Sequence, residues 1–200
     1  MSIRDRCDDA AVLWEQKRYE GALLSLLVGI AATSRKRYPQ ETGLGDRVAF
    51  TKFLKEEILV LTQGGAENIS IHLPQANPKY YPTKTVPLED IFYTYIRCTM
   101  AHEGGLPKYI QFTGGPSSGF QIDTNNDTLK MSRSFIEHLN RVIIYAPENF
   151  DEFDEVSVMP DDVVSWVLFG KRRENYDGYM KMRRQRINEM GSALHDTRQS

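Results

Sequence analysis

Arg97 and His102 stand with four residues between them in Arg97-Cys-Thr-Met-Ala-His102, and Glu103-Gly104-Gly105 follows. An imidazole titrates near neutrality, so it can exchange a proton with a ribose 2′-hydroxyl or a leaving 5′-oxygen. A guanidinium can hold two phosphate oxygens and stabilise charge as it develops. Together they suffice for metal-free RNA cleavage, in which the 2′-oxygen attacks the adjacent phosphorus and leaves a cyclic phosphate end. Glu103 is a candidate orienting carboxylate for His102, or simply a helix-end charge. Asp90 and Tyr93 fall two turns and one turn before Arg97 on the same side of a helix, where they can line a cleft or hold the guanidinium. Cys98 has no legible triad partner, and both Cys7 and Cys98 read as small packed or surface residues rather than nucleophiles.

Spacing alone does not single this pair out. Fifteen arginines and four histidines would give about one such pair by chance, and Arg133-Ser-Phe-Ile-Glu-His138 repeats the interval on the next helix. On a regular α-helix Arg97 and His102 point about 140° apart, and His102 falls among Leu88, Ile91 and Tyr95 on the apolar side. That is the pattern of a packed histidine. Convergence of the pair requires a local bulge, fraying at the glycines, or two copies of the chain meeting across an interface.

The positioning elements are mostly helical. Residues 8–37 read as two helices joined near Arg18-Tyr19, the second carrying Leu23, Leu24, Leu26, Leu27, Val28 and Ile30 on a wide apolar face. Tyr38-Pro39 ends it, and Asp46 is the expected N-cap of a third helix bearing Val48, Phe50, Phe53, Leu54 and Ile58. Residues 66–87, with four prolines, predict an irregular connection. Pro87 then fits the first turn of a fourth helix reaching about Gly104-Gly105. Tyr109-Ile-Gln-Phe112 and Phe120-Gln-Ile-Asp123 around a glycine-rich stretch predict two short strands and a long hairpin loop, the one β signal. Residues 129–146 predict a helix stopped by Pro147. The acidic run 148–162 predicts an exposed loop by like-charge repulsion.

A last helix, about 173–190, has the opposite sign. Arg172, Arg173, Lys181, Arg183, Arg184 and Arg186 there could neutralise phosphates, with Tyr176 and Tyr179 to stack on bases, or form a solvated face or a partner for the acidic run. The expected architecture is mainly α: an antiparallel helical bundle with a small β-hairpin insertion, one domain over residues 1–200 with its core at about 8–150.

Composition narrows the chemistry further. The chain has 200 residues, 40% hydrophobic and 26% charged, with a net charge of −2, which excludes a strongly basic histone-type binder. Two cysteines offer no zinc-ligand pair and no disulfide framework, which fits a reducing compartment and predicts a cytoplasmic protein. The uncharged run 21–32 is shorter than the roughly 20 residues a membrane span needs, and the charged amino terminus does not read as a secretory signal. No P-loop, dinucleotide fingerprint, HExxH, GxSxG or EF-hand pattern is present, so neither a metal nor a cofactor is expected.

The words around Arg97 add a resemblance. Asp90-Ile-Phe-Tyr-Thr-Tyr-Ile-Arg-Cys-Thr-Met-Ala-His-Glu-Gly104 resembles the signature helix of the HEPN superfamily, small helical-bundle proteins whose RxxxxH-type motif marks a metal-independent endoribonuclease. Residues 19–39, the helix from Asp46 to Leu54 and the Ala146-Pro-Glu-Asn-Phe150 turn are similar to the same layout, so the resemblance covers about residues 8–150. It implies that Arg97 and His102 are the catalytic pair and that a homodimer brings both pairs into one cleft. It further implies RNA as substrate, a toxin or phage-defence role, and an antitoxin or defence-system protein as possible partner. Cys98 stands where that superfamily often has Asn, Asp or His. HEPN-like proteins also include inactive interaction and nucleotide-sensing modules, the alternative implication.

Overall fold

The fold was obtained as a computed structural model, which describes residues 2–62, 68–113, 120–123, 128–132 and 134–153. The first helix, α1 (Ile3–Glu15), starts earlier than the apolar pattern indicated, because Ser2 and Asp5 form a capping box. The Ser2 hydroxyl accepts the Asp5 amide at 3.0 Å, and the Asp5 carboxylate accepts the Ser2 amide at 2.7 Å. These hydrogen bonds hold the Asp5 carboxyl below its ordinary range.

Lys17, at a φ of 61°, turns the chain into α2 (Tyr19–Arg37). This is the central helix: Leu23, Leu27 and Ile30 are wholly buried, and α1, α3 and α7 all pack on it. After a 3₁₀ turn at Gln40–Thr42 come α3 (Asp46–Glu56) and the short α4 (Ile58–Leu61). Gly45, not Asp46, occupies the cap position of α3. The Asp46 carboxylate is turned instead to the Arg35 guanidinium on α2.

The β structure differs from the expected single hairpin. Within the supposed irregular connection, β1 (Ser70–His72) pairs antiparallel with β2 (Thr85–Pro87), and Ile71 and Val86 face each other in the core. Further on, β3 (Ile110–Thr113) and β4 (Phe120–Asp123) do not pair with one another. Between them lies β5 (Thr128–Ser132), parallel to β3 and antiparallel to β4, in residues expected to be helical. Leu129 and Met131 bury there, and α7 (Ser134–Ile144) starts only afterwards. The chain is thus mainly helical with small sheets. Among the described residues no helix is long and apolar enough to cross a membrane.

The start of the acidic run is not a repelled loop. Pro147–Asn149 forms a 3₁₀ turn and Phe150–Phe153 a short helix, α8, because the basic end of α2 neutralises the carboxylates. Arg37 donates to both oxygens of Glu148, at 2.7 and 3.0 Å, and to Glu57 at 2.8 Å. Lys36 pairs with Glu152 at 2.5 Å, and the other Glu152 oxygen accepts the amides of Ile3 and Arg4 at the start of α1. The rest of the acidic run, residues 154–162, and the expected basic terminal helix lie outside the described residues.

Candidate functional site

The helix carrying Arg97 and His102 is built from three consecutive pieces: α5 (Leu88–Asp90), a π-helical segment (Ile91–Arg97), and α6 (Cys98–Glu103). The apolar spacing accounts for the π segment. Leu88, Phe92, Ile96 and Met100 recur every four residues, and all are buried. On an unbroken α-helix each four-residue step overshoots a turn by about 40°, so that stripe would drift by roughly 120° and lose contact with the core. Hydrogen bonds of i→i−5 type place more residues in each turn and keep the stripe on one side. The Cys98 amide donates to the Tyr93 carbonyl in this way.

Widening the turn also changes where the polar residues point. His102 is exposed, not packed among Leu88, Ile91 and Tyr95 as the regular wheel indicates, because the π segment shifts the phase of everything after it. Gly104, at a φ of 79°, ends α6 in the left-handed conformation, and its amide closes on the Met100 carbonyl. Glu20, in the first turn of α2, then accepts the Leu106 amide at 3.3 Å and fixes the exit of the chain.

Arg97 is half-buried against aromatic rings. Its guanidinium carbon lies 5.3 Å from the centre of the Tyr93 ring and 5.9 Å from that of Phe50, while Phe50 and Tyr93 meet edge to face at 5.3 Å. Among the described residues it has no hydrogen-bond or ion-pair partner. Its neighbours differ: Arg35 is bound to Asp46, Arg37 to three glutamates, and Arg47 to Asp90 at 2.8 Å. Asp46 is held below its ordinary carboxylate range mainly by the Arg35 hydrogen bond and charge, with a smaller contribution from Arg97. The Arg97 charge is therefore felt by a carboxylate that is already committed elsewhere, and its five donors are left for a ligand.

The supporting residues separate. Tyr93 seats Arg97, as the sequence spacing allowed. Asp90 instead takes Arg47, which also donates to the Tyr81 hydroxyl at 3.0 Å. The Asp90 hydrogen bond holds the Arg47 guanidinium above its ordinary range, and burial with Asp90 alongside pushes the Tyr81 phenol up to about 12. Cys98 is a free, half-buried thiol, whereas Cys7 is buried and its thiol is pushed up to about 12 by that burial. Glu103 is exposed at the end of α6, next to His102 in sequence. Arg97 precedes α6 and His102 lies near its end, five residues on, so a regular helix there points the two side chains about 140° apart.

Of the second pair, His138 is buried beside Phe135, and Arg133 lies outside the described residues. Arg172, Arg173, Lys181, Arg183, Arg184 and Arg186 also lie outside them. Among the described residues no group of three or more His, Cys, Asp and Glu side chains is placed to hold a metal ion.

The family model Rv1289 matches residues 2–166. The chain belongs to the Rv1289 family. The Rv1289 match takes in every described element and all six residues singled out between Asp90 and Glu103, while the basic terminal cluster from Arg172 onward lies beyond it. No curated protein and no solved structure matches the chain. Phe50, Arg47 and Asp46 are the site residues of this Rv1289 member that sequence reasoning missed. Their signal was weak, since Phe50 and Arg47 meet the Arg97 helix across more than forty residues of sequence and Asp46 only feels the Arg97 charge.

Proposed function

We propose that this chain is a cytoplasmic, metal-independent endoribonuclease of HEPN type, an antiparallel helical bundle with a small β insertion that acts as a homodimer. The carrying observation is Arg97: a half-buried guanidinium seated on Phe50 and Tyr93, with no hydrogen-bond partner among the described residues. Its seat orients the fork, and its unspent donors match two phosphate oxygens. The exposed His102 is accessible to the ribose and the leaving oxygen. In this reading the imidazole takes the 2′-hydroxyl proton or protonates the 5′-oxygen, and Arg97 stabilises charge on the phosphorane-like transition state. Because the two side chains diverge on one helix, Arg97 of one protomer works with the histidine of its partner. A toxin or defence role, restrained by a protein partner, is consistent with such an activity.

The divergence also favours a second reading, a non-cleaving module in which Arg97 holds the phosphate of a nucleotide. One experiment separates the two. RNA is incubated with the parent chain, Arg97→Ala and His102→Ala in excess chelator, and cleavage and binding are both followed. The nuclease reading predicts cyclic-phosphate products from the parent, and their loss in both variants. Binding without cleavage, lost only in Arg97→Ala, establishes the module, and cleavage unchanged in both variants removes these residues from the chemistry.

A further inference from the structure

Between β1 and β2 the chain makes a loop, residues 73–84, that carries the most exposed large apolar side chain on the described surface. Tyr80 is 62% exposed, and the Lys79 ammonium lies 5.7 Å from the centre of its ring. An exposed ring among cations offers a stacking face for a base beside charges that take phosphate. Residues 68–87 contain Lys79, Lys84 and His72 but no aspartate or glutamate, in a chain with 27 acidic residues.

The loop is held by its own hydrogen bonds. The Asn77 side chain accepts the Lys79 amide at 2.9 Å, and the Asn77 carbonyl accepts the amides of Tyr80 and Tyr81. The Lys84 ammonium donates to the Ala76 carbonyl at 2.5 Å, and Leu73 and Ala76 are buried beneath. It is also joined to the Arg97 helix. Tyr81 lies 6.4 Å from Tyr95 ring to ring, the Tyr95 hydroxyl accepts the Asn77 amide at 3.3 Å, and Arg47 bridges Tyr81 to Asp90. Tyr80 and Lys79 thus stand on a loop that is tied through Tyr81, Tyr95 and Arg47 to the helix that carries Arg97.

We propose that Tyr80, Lys79 and Arg97 form the platform for single-stranded RNA, with Tyr80 stacking one base and Lys79 and Arg97 taking phosphates of the same strand. The inference rests on the reading that the chain acts on RNA, and it adds the direction from which the strand approaches. A preformed loop suits this role because little ordering is left for binding to impose. Ring stacking serves unpaired bases of any identity, whereas a duplex presents only its backbone.

The test is fluorescence anisotropy of a labelled single-stranded oligouridylate, with a duplex RNA as control, on the full chain carrying His102→Ala to prevent turnover. Tyr80→Ala is expected to weaken single-strand binding by roughly fivefold or more, with Tyr80→Phe within about twofold and duplex binding unchanged. Lys79→Gln is expected to reduce the salt slope by about 0.7. If Arg97→Ala weakens binding while Tyr80→Ala and Lys79→Gln match the parent, the platform is wrong and the Arg97 reading survives. If the parent binds neither RNA, both are overturned. Because the Tyr80 side chain is mostly exposed, thermal unfolding of its variants should match the parent and keeps the comparison interpretable.

Discussion

The Arg97 guanidinium sits 5.3 Å from the centre of the Tyr93 ring, and Tyr93 is also the residue whose carbonyl receives the Cys98 amide in the π segment. One residue thus contributes both to the pitch of the helix and to the seat of the cation. Lysine cannot occupy that seat in the same way, since its ammonium has neither a planar face to lay on the rings nor a fork for two oxygens. Arg97→Lys is therefore expected to bind single-stranded RNA about tenfold more weakly, despite keeping the charge, with the midpoint of thermal unfolding unchanged. Equal affinity for the two residues in a binding titration would mean that charge alone matters there.

Glu152 links α8 to both α1 and α2, and its titration has a predictable sign. Burial by itself raises its pKa, but hydrogen bonds from Lys36 and from the Arg4 and Ile3 amides outweigh that and leave it below the ordinary 4.5. Between the lower folded value and about 4.5 the unfolded chain binds more protons, so stability rises with pH across that window. The contribution is complete above it and is lost as pH falls through the folded value. Asp5 and Asp46 are depressed as well and act in the same direction. Denaturant melts of Glu152→Gln between pH 3 and pH 6 should show a flatter acid limb than the parent, and an identical slope would count against this assignment.

Asn149 is wholly buried, and its amide nitrogen donates to the Thr33 hydroxyl and to the Ile143 carbonyl, each at 2.9 Å. It pins the 3₁₀ turn after α7 to the C-terminal half of α2. Replacing it with alanine removes both hydrogen bonds, leaves the Ile143 carbonyl with only the Ala146 amide at 3.3 Å, and opens a small void, which together cost about 2–4 kcal/mol. Chemical denaturation of Asn149→Ala should show that loss without a change in the urea dependence. A cost below about 1 kcal/mol would indicate that water replaces the amide.

Much of the helical frame was legible because its signals are local and repeated. The apolar stripe of α2 and the Phe50–Phe53–Leu54 cluster of α3 follow a helical period that a single wheel displays. The sheets were not legible for the opposite reason: β1 and β2 each have three residues with one buried side chain, too few for an alternation to show, and Leu129 and Met131 of β5 blended into the apolar run of α7. At the site, Tyr93 beneath Arg97 could be read from four-residue spacing. The exposure of His102 could not, since the wheel assumed a regular pitch, although the four-residue recurrence from Leu88 to Met100 carried the information. The choice of Arg47 by Asp90 joins residues 43 apart and depends on the packing of α3, which no local pattern encodes.

At Gly29, α7 presses closely on α2. A Cβ at this position would lie 2.9 Å from the Ile143 Cδ1 atom, closer than carbon atoms approach, but the obstacle is the end of a flexible side chain rather than backbone. In an exposed helix interior, glycine to alanine would stabilise by up to about 1 kcal/mol. Here overpacking opposes that gain, and Ile143, wholly buried, has few free rotamers into which to retreat. Gly29→Ala is expected to destabilise by about 1–2 kcal/mol, and Ile143→Val, which removes the offending methyl, should recover most of the loss when the two are combined. The double-mutant cycle measured by denaturant unfolding is the check. Strict additivity would show that the two side chains do not compete for the same space, whereas a favourable coupling of about 1 kcal/mol or more places the α2–α7 contact where the structure has it.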